Sequence, residues 1–295
     1  MNEPAASGVL VVDKPAGWTS HQAVGRVRRL LGTRKVGHAG TLDPMATGVL
    51  LVGVNRATRL LGHLMLTQKE YTATIRLGIG TLTDDADGEP TATPGAAGID
   101  ADRVRAALPA FTGDIDQVPT AVSAIKVDGK RSYARVRAGE SVELAPRRVQ
   151  VAEFALLGAR PAEVDGLAVV DCDVRVRCSS GTYIRALARD LGAALGSAGH
   201  LTALRRTRVG PFGLDRAVDI DTDAAPELIN MAEAAAGCFP TVPVDADAAA
   251  DISHGRRLAL ELNGPAALLH GGELLAIYRP DGASARPVAV FAAGS

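Results

Sequence analysis

Strand-forming segments recur along the whole chain, and they constrain its fold more than any other sequence feature. Each is an apolar run or an apolar and polar alternation bounded by turn-forming residues, which is the pattern of strands and not of long helices. The segments are Gly8 to Val12, Gly48 to Val54, Tyr71 to Leu77, Val149 to Leu157 and Leu167 to Cys178. The sequence therefore predicts a sheet built from strands that are well separated along the chain.

Helical periodicity appears between some of these strands. Val24, Val27 and Leu30 recur at helical spacing after Ser20, which is the predicted N-cap, and basic residues occupy the other faces of this helix. Further helices are predicted at Asp100 to Leu108, Tyr183 to Leu195 and Ala224 to Ala236. Strands and helices are therefore both expected.

The length of the chain predicts two domains. With 295 residues, of which 47% are hydrophobic, the chain is long enough for one large domain and a small appended one. Residues 242–291 consist of short apolar pieces separated by Gly and Asp, which is typical of a small β-rich module. We therefore expect a large domain over residues 1–238 and a small domain over residues 239–295.

The cysteines and the apolar runs predict a location in the cytoplasm. Cys172, Cys178 and Cys238 have no metal-binding spacing, and Cys172 and Cys178 are expected on one buried face of a strand. The first residues do not form a signal peptide, and no apolar run reaches membrane-spanning length. We expect neither a membrane partner nor a metal. Because nothing indicates an obligate interface, we also expect a monomer.

Positive and negative charges are segregated along the chain, although the net charge is only −1. Residues 14–69 contain nine basic residues and one acid, Asp43, whereas residues 211–251 contain nine acids and one arginine. A second basic stretch covers residues 175–208. If the two basic stretches are adjacent in the fold, they form a cationic surface suited to a phosphate backbone. Solvated helix faces are the alternative interpretation.

Residues 117–146 contain five basic side chains and few core-forming runs. This composition predicts that residues 117–146 form an extended basic segment, called the basic excursion below, that binds RNA. A disordered surface loop explains the same composition equally well.

Asp43 is the first candidate for chemistry. A carboxylate surrounded by cations stays ionised, so Asp43 is suited to act as a nucleophile or as an electrostatic stabiliser and not as a proton donor. An Asp-Pro pair in a glycine-rich loop is also an ordinary turn.

Five motifs in this chain resemble those of TruB-type pseudouridine synthases. The most specific covers Gly37 to Leu50 and contains Asp43 in a loop. The others are residues 12–20, 69–71, 179–192 and 201–207. The resemblance implies a fold of the α/β class, with a mixed, mainly antiparallel sheet and a central basic cleft. A small PUA-like RNA-binding domain would follow at the C-terminus.

The same resemblance implies a function. The chain would isomerise uridine 55 in the T loop of tRNA to pseudouridine after flipping the nucleotide out of its stack. Since the isomerisation neither gains nor loses an atom, no cofactor is expected. The T arm of tRNA is the expected partner.

Five residues receive roles from the resemblance. Asp43 is the catalytic aspartate, Arg185 pairs with it, and Tyr71 stacks on the target base and handles a proton. His38 stacks into the space left by the flipped base, and Leu204 lines the base pocket. Tyr183 and Lys14 are further substrate-binding candidates. For Lys14, next to a Pro-Gly turn, a structural role and a phosphate contact are equally favoured.

The chain departs from the family pattern in a few places. Thr120 and Val122 stand where the family has Pro and Tyr, at the start of the basic excursion, and Ala39 replaces a Thr of the catalytic loop. Asp84 and Asp85 begin a stretch that looks like a calcium loop but lacks the later glutamate.

Two other functions remain open at the level of sequence. One is an RNA-binding protein that helps tRNA to fold, which does not need the isolated carboxylate of Asp43. The other is an aspartate-nucleophile hydrolase of small molecules. Such an enzyme would be expected to have a metal cluster or a phosphate loop, and the sequence contains neither motif.

Overall fold

The structure is a computed structural model that describes residues 6–65, 67–120, 126–127, 130–131 and 144–291. Its strands are β1 (Gly8–Lys14), β2 (Val36–Ala39), β3 (Thr47–Val54), β4 (Lys69–Leu77), β5 (Gly80–Thr81), β6 (Pro90–Ala92), β7 (Gly113–Gln117), β8 (Lys126–Val127), β9 (Lys130–Arg131), β10 (Arg147–Val164), β11 (Leu167–Cys178), β12 (Gly199–Val209), β13 (Phe212–Gly213), β14 (Ile229–Asn230), β15 (Thr241–Pro243), β16 (Ala266–His270), β17 (Glu273–Asp281) and β18 (Ser284–Val290). Its α-helices are α1 (Ser20–Leu30), α2 (Leu61–Leu64), α3 (Ala101–Ala107), α4 (Ile184–Ala194), α5 (Met231–Ala236) and α6 (Ala246–Ser253).

The chain divides into two compact units. The first comprises residues 1–44, 48–67 and 208–295, and the second comprises residues 45–47 and 68–207. In the first unit, β1 pairs antiparallel with β3 and with β14, and β2 also pairs antiparallel with β3. In the second unit, the strands follow the order β12, β4, β11, β10, β7.

The second unit contains a long hairpin of β10 and β11. The two strands pair antiparallel from Val151 and Cys178 to Val164 and Leu167, and β4 and β7 flank them, also antiparallel. Along β4 buried and partly exposed residues alternate, because successive side chains of a strand point to opposite faces.

The C-terminal segment forms a four-stranded sheet in the order β15, β16, β17, β18. β15 and β16 are parallel, whereas the other two pairs are antiparallel. The predicted fold class is therefore confirmed: a mixed, mainly antiparallel α/β fold with a small β-rich module at the C-terminus.

The described residues of the first unit form two hydrophobic cores. One is local to the C-terminal segment and includes Ile252, Leu268 and Tyr278. The other combines residues of β1, β3 and α2 with residues of the C-terminal strands, including Ile277, and with Phe291. The C-terminal segment thus shares a core with the N-terminal strands of the same unit.

Some predicted boundaries are wrong. The helix predicted over Ala224 to Ala236 begins only at Met231, because Pro226 has no backbone N–H for a helical bond and Asn230 caps the helix at Glu233. The N-cap of α1 is Thr19 and not Ser20. β10 runs to Val164 and so exceeds the predicted strand, which ends at Leu157.

Most of the basic excursion lies outside the described residues. This holds for Val122, Arg135 and Arg137, while only the backbone pairing of β8 with β9 is described around Lys126 and Arg131. Among the described residues, no helix is long and apolar enough to cross a bilayer.

Candidate active site

The loop that contains Asp43 follows β2 in the first unit. Asp43 is partly buried, and the backbone is fixed on both of its sides. On one side the Ser20 hydroxyl accepts a hydrogen bond from the Leu42 N–H at 2.9 Å and donates to the Leu42 carbonyl at 3.1 Å. On the other side the Pro44 carbonyl accepts from the Gly17 N–H at 2.9 Å and from Lys14 Nζ at 3.2 Å. Bonds from Ser20, Gly17 and Lys14 thus fix the backbone on both sides of Asp43.

Lys14 is fully buried below this loop. Besides the bond to Pro44, its ammonium group donates to the carbonyls of Pro15 at 2.9 Å and Trp18 at 2.6 Å. Burying a charged group is costly unless it is hydrogen-bonded, and three carbonyls match the three donors of an ammonium. The turn can form these bonds because Gly17 adopts a φ of 78°, which favours glycine. This geometry favours the structural role for Lys14.

His38 lies on β2 and is partly buried. Its ring contacts the ring of His21, which lies in the first turn of α1, with the centroids 5.3 Å apart and an interplanar angle of 85°. The structure therefore brings Lys14, His38 and Asp43 into one compact unit, together with a histidine that sequence reasoning did not single out.

Tyr71 and Leu204 lie in the second unit, on β4 and β12, and both are buried. Lys69, two residues before Tyr71 on the same face of β4, is also buried. Burial and the neighbouring charge of Arg206 lower the pKa of Lys69 to about 8. Tyr71 thus shares its strand face with a lysine whose pKa lies well below its ordinary value.

Tyr183 occupies the N-cap position of α4, where its own side chain does not cap the helix. The side-chain amide of Gln117 does so in part, because it donates to the Tyr183 carbonyl at 3.0 Å and accepts from the Tyr183 N–H at 2.8 Å. These two bonds fix the start of α4, two residues before Arg185.

Arg185 is buried in the first turn of α4. Its guanidinium donates to the Thr83 carbonyl at 2.8 Å and forms an ion pair with Asp85 at 3.3 Å. A guanidinium remains charged at every relevant pH, so a buried one requires such partners. The acidic loop that resembles a calcium site in sequence is an arginine-binding loop in the structure.

Arg189 follows one turn later on α4 and contacts the same loop. It forms an ion pair with Asp84 at 3.1 Å and donates to the Val118 carbonyl at 2.8 Å. Asp84 also accepts a bond from the Thr120 hydroxyl at 2.8 Å. Burial raises the pKa of Asp84, while the charge of Arg189 opposes the rise. The departure at Thr120 thus has a structural role in this chain.

Sequence reasoning missed four residues that hold candidate residues in place, each within its own unit: Asp84, Asp85 and Gln117 in the second unit, and Ser20 as a loop anchor in the first. For the two aspartates a signal existed, because two adjacent acids are suited to pair with Arg185 and Arg189, which lie four residues apart. For Gln117 and Ser20 the partners are backbone groups far away in sequence, and no local pattern indicates them.

The cysteines match their predicted environment. Cys172 and Cys178 are buried on β11, and burial raises the pKa of each thiol to about 11. Among the described residues, no group of three or more His, Cys, Asp or Glu side chains has a metal-binding arrangement.

Known structures with a similar fold include a protein chain of an H/ACA RNP. A chain in the structure of an H/ACA RNP bound to a substrate RNA containing 2′-deoxyuridine aligns with a TM-score of 0.69 and 26% sequence identity. The alignment covers 98% of this chain and 86% of the other. The fold and the matches to family models together define the class of the protein as pseudouridine synthase.

Within this class, the chain belongs to the TruB family. Residues 28–184 match the N-terminal domain of TruB family pseudouridylate synthases. Residues 185–225 match the C-terminal domain of tRNA pseudouridylate synthase B, and residues 239–292 match the C-terminal region of tRNA pseudouridine synthase II.

Individual relatives are similar over almost their whole length. A protein of Cutibacterium acnes named tRNA pseudouridine synthase B is 63% identical over 93% of this chain and 94% of its own length. A protein of Thermobifida fusca with the same name is 56% identical over 97% of this chain and 99% of its own length. The resemblance found in the five motifs is thus confirmed at the level of the family.

Proposed function

We propose that the protein converts uridine 55 in the T loop of tRNA to pseudouridine, with Asp43 as the catalytic carboxylate. The names of the relatives in Cutibacterium acnes and Thermobifida fusca support tRNA as the substrate. The structural neighbour from the H/ACA RNP was solved with a substrate RNA bound, which supports RNA binding.

The observation that carries this proposal is the fixed backbone on both sides of Asp43. Bonds from Ser20, Gly17 and Lys14 reach the residues directly before and after it. A carboxylate that must meet one atom of a ribose or a base gains from such preorganisation, because little reorganisation is then needed in the transition state. An ordinary surface turn has no need of a fully buried lysine beneath it.

The reaction assigns a task to each part of the site. The bond between ribose C1′ and uracil N1 breaks, the uracil turns, and a new bond forms between C1′ and C5. Asp43 acts as a nucleophile or as a stabiliser of the charge that develops when the bond opens. Tyr71 and Arg185 are proposed as the other catalytic residues, on the roles that the family resemblance gives them.

Binding requires extrusion of the uridine, because C1′ and C5 are inaccessible in a stacked base. We propose that His38 fills the space left in the stack and that Leu204 and Tyr183 bind the extruded nucleotide. Lys14 is proposed to act through its bonds to the Asp43 loop and not through a phosphate.

For the whole chain, we propose a catalytic domain over residues 1–238 and a tRNA-binding domain over residues 239–295. We propose a monomer that acts in the cytoplasm. The free thiols of Cys172, Cys178 and Cys238 suit a reducing compartment.

The test is Asp43→Asn, which keeps the size of the side chain and removes its charge. Pseudouridine formation in an unmodified tRNA transcript should fall by at least about a thousandfold, as for loss of an essential nucleophile, while tRNA binding should remain within about threefold of wild type. The control is Asp13→Asn, a change to the other described acid among residues 6–65. Substantial turnover by Asp43→Asn would exclude the role of Asp43. If cells that lack the protein grow poorly and an Asp43 variant restores their growth fully, the tRNA-folding role is favoured.

A further inference from the structure

We infer that His21 is a positioning residue that sets the orientation of the His38 ring toward the RNA. The inference rests on the proposed function, because it requires His38 to occupy the space left by an extruded nucleotide.

The contact between the two rings has the geometry of a specific aromatic pair. The centroids are 5.3 Å apart and the planes are inclined by 85°, which is an edge-to-face arrangement. Aromatic rings prefer this arrangement over face-to-face stacking because the positive edge of one ring meets the negative face of the other. The pair therefore favours one orientation of the His38 imidazole over the others that its side-chain torsions allow.

His21 can hold a neighbour in place because its own backbone is fixed. The nearby Thr19 forms a reciprocal capping box with Gln22, in which the Gln22 N–H donates to the Thr19 hydroxyl at 3.1 Å and the Thr19 N–H donates to Gln22 Oε1 at 2.7 Å. Such a box fixes where a helix begins. His21 thus projects from the first turn of α1 at a defined point.

Ser20, which lies between Thr19 and His21, connects the same turn to the loop that contains Asp43. Ser20 bonds both backbone groups of Leu42, next to Asp43. The start of α1 therefore holds the segment from His38 to Leu42 at both of its ends, through a ring contact at one end and hydrogen bonds at the other. We conclude that Thr19, Ser20 and His21 have three separate tasks: capping the helix, anchoring the loop and orienting the ring.

The role predicts how substitutions of His21 behave. His21→Ala removes the ring and should lower kcat/KM for pseudouridine formation about 2- to 12-fold, the factor that corresponds to the loss of one edge-to-face pair. His21→Phe retains an aromatic edge and should stay within about twofold of wild type. His63→Ala is the matched control, since His63 is a partly exposed histidine of α2 to which no role in catalysis or RNA binding is assigned, and it should have no effect.

The deciding measurement is a double-mutant cycle with His38→Ala. If His21 acts through His38, adding His21→Ala to His38→Ala should change kcat/KM less than twofold, although it has its full effect in wild type. Thermal unfolding of all variants is measured in parallel, because a loss of folded protein would lower activity without any dependence on residue 38.

If the wild-type protein forms pseudouridine, three results would overturn the inference. They are independent multiplication of the two effects, wild-type activity of His21→Ala, and failure of His21→Phe to restore what His21→Ala loses. A wild-type protein that forms no pseudouridine would instead overturn the proposed function, and the inference with it.

Discussion

At the scale of single residues, the charged candidates Lys14 and Arg185 are each buried together with partners of their own unit. Lys14 donates to three carbonyls, and Arg185 pairs with Asp85. Lys69 differs from both in that burial and the charge of Arg206 lower its pKa to about 8, from an ordinary value of 10.5. This difference has a measurable effect on stability.

Between pH 8 and pH 10.5, the unfolded chain binds a proton at Lys69 that the folded chain does not. Because stability rises with pH wherever the unfolded state binds more protons, Lys69 should make the free energy of unfolding increase across this interval. Lys69→Met should lack this increase, whereas Lys35→Met, which alters an exposed lysine, should retain it. Urea unfolding at several pH values measures the difference. Parallel curves for wild type and Lys69→Met would contradict this role of Lys69.

The sequence predicts the candidate residues better than their surroundings. Asp43, Tyr71 and Arg185 stand in motifs, so they could be named without a structure. The capping role of Gln117 and the anchoring role of Ser20 could not be named, because the bonds go to backbone atoms of Tyr183 and Leu42, which are remote in sequence. Backbone groups carry no sequence signal.

At the scale of elements, the central feature of the second unit is a loop of residues 81–88 that binds two arginines of one helix. Asp85 pairs with Arg185 and Asp84 pairs with Arg189, one turn further along α4. Asp84 adopts a φ of 58°, a left-handed conformation that Asp and Asn tolerate better than most residues. Charge and backbone conformation at Asp84 can therefore be tested separately.

Asp84→Asn keeps the tolerance for a left-handed backbone and removes the charge that faces Arg189. We expect it to lower the free energy of unfolding by about 1–3 kcal/mol, since hydrogen bonds to charged groups contribute about this much. Asp84→Ala should lose roughly a further 1–2 kcal/mol through backbone strain. Chemical denaturation provides both values, with Asp87→Asn, an exposed acid of the same loop, as the control. Equal stability of Asp84→Asn and Asp87→Asn would refute the importance of the ion pair.

Element boundaries were predictable where local chemistry decides them and not elsewhere. The strands β1, β4 and β11 follow their hydrophobic patterns closely. The alanine-rich pattern before α5 predicted too long a helix, since Pro226 and the cap at Asn230 outweigh helix propensity. β10 extends beyond its apolar part because pairing with β11 continues to Val164, and pairing with a distant strand is invisible to local periodicity.

At the scale of the whole molecule, one hydrophobic core of the first unit connects distant parts of the chain. Phe291 is 1% exposed and belongs to the core that includes residues of β1 and β3. The guanidinium of Arg59 lies 5.9 Å from the centre of the Phe291 ring. Arg56 donates a hydrogen bond to the backbone carbonyl of Phe291 at 3.3 Å. The end of the C-terminal segment therefore contributes to the stability of the N-terminal strands.

Phe291→Ala should lower the free energy of unfolding by about 3–5 kcal/mol, because it leaves a cavity in the shared core. The control is Val288→Ala, which shortens an apolar side chain that is 46% exposed. Thermal or urea unfolding of the full-length chain measures both. If Phe291→Ala unfolds like Val288→Ala, the shared core is not a stabilising part of the molecule.

The presence of a small β-rich module at the C-terminus was predictable from the spacing of apolar pieces with Gly and Asp. Its participation in a core with β1 and β3 was not, because no pattern within residues 239–295 shows which apolar side chains face outward from the module's own sheet.

The most direct test of the proposed function is to incubate the purified wild-type protein with an unmodified tRNA transcript and to map pseudouridine at single-base resolution. We expect one modified uridine, at position 55 in the T loop, and none in a matched reaction with Asp43→Asn. Tight binding of the transcript without any pseudouridine, or modification that persists in Asp43→Asn, would contradict the proposed function.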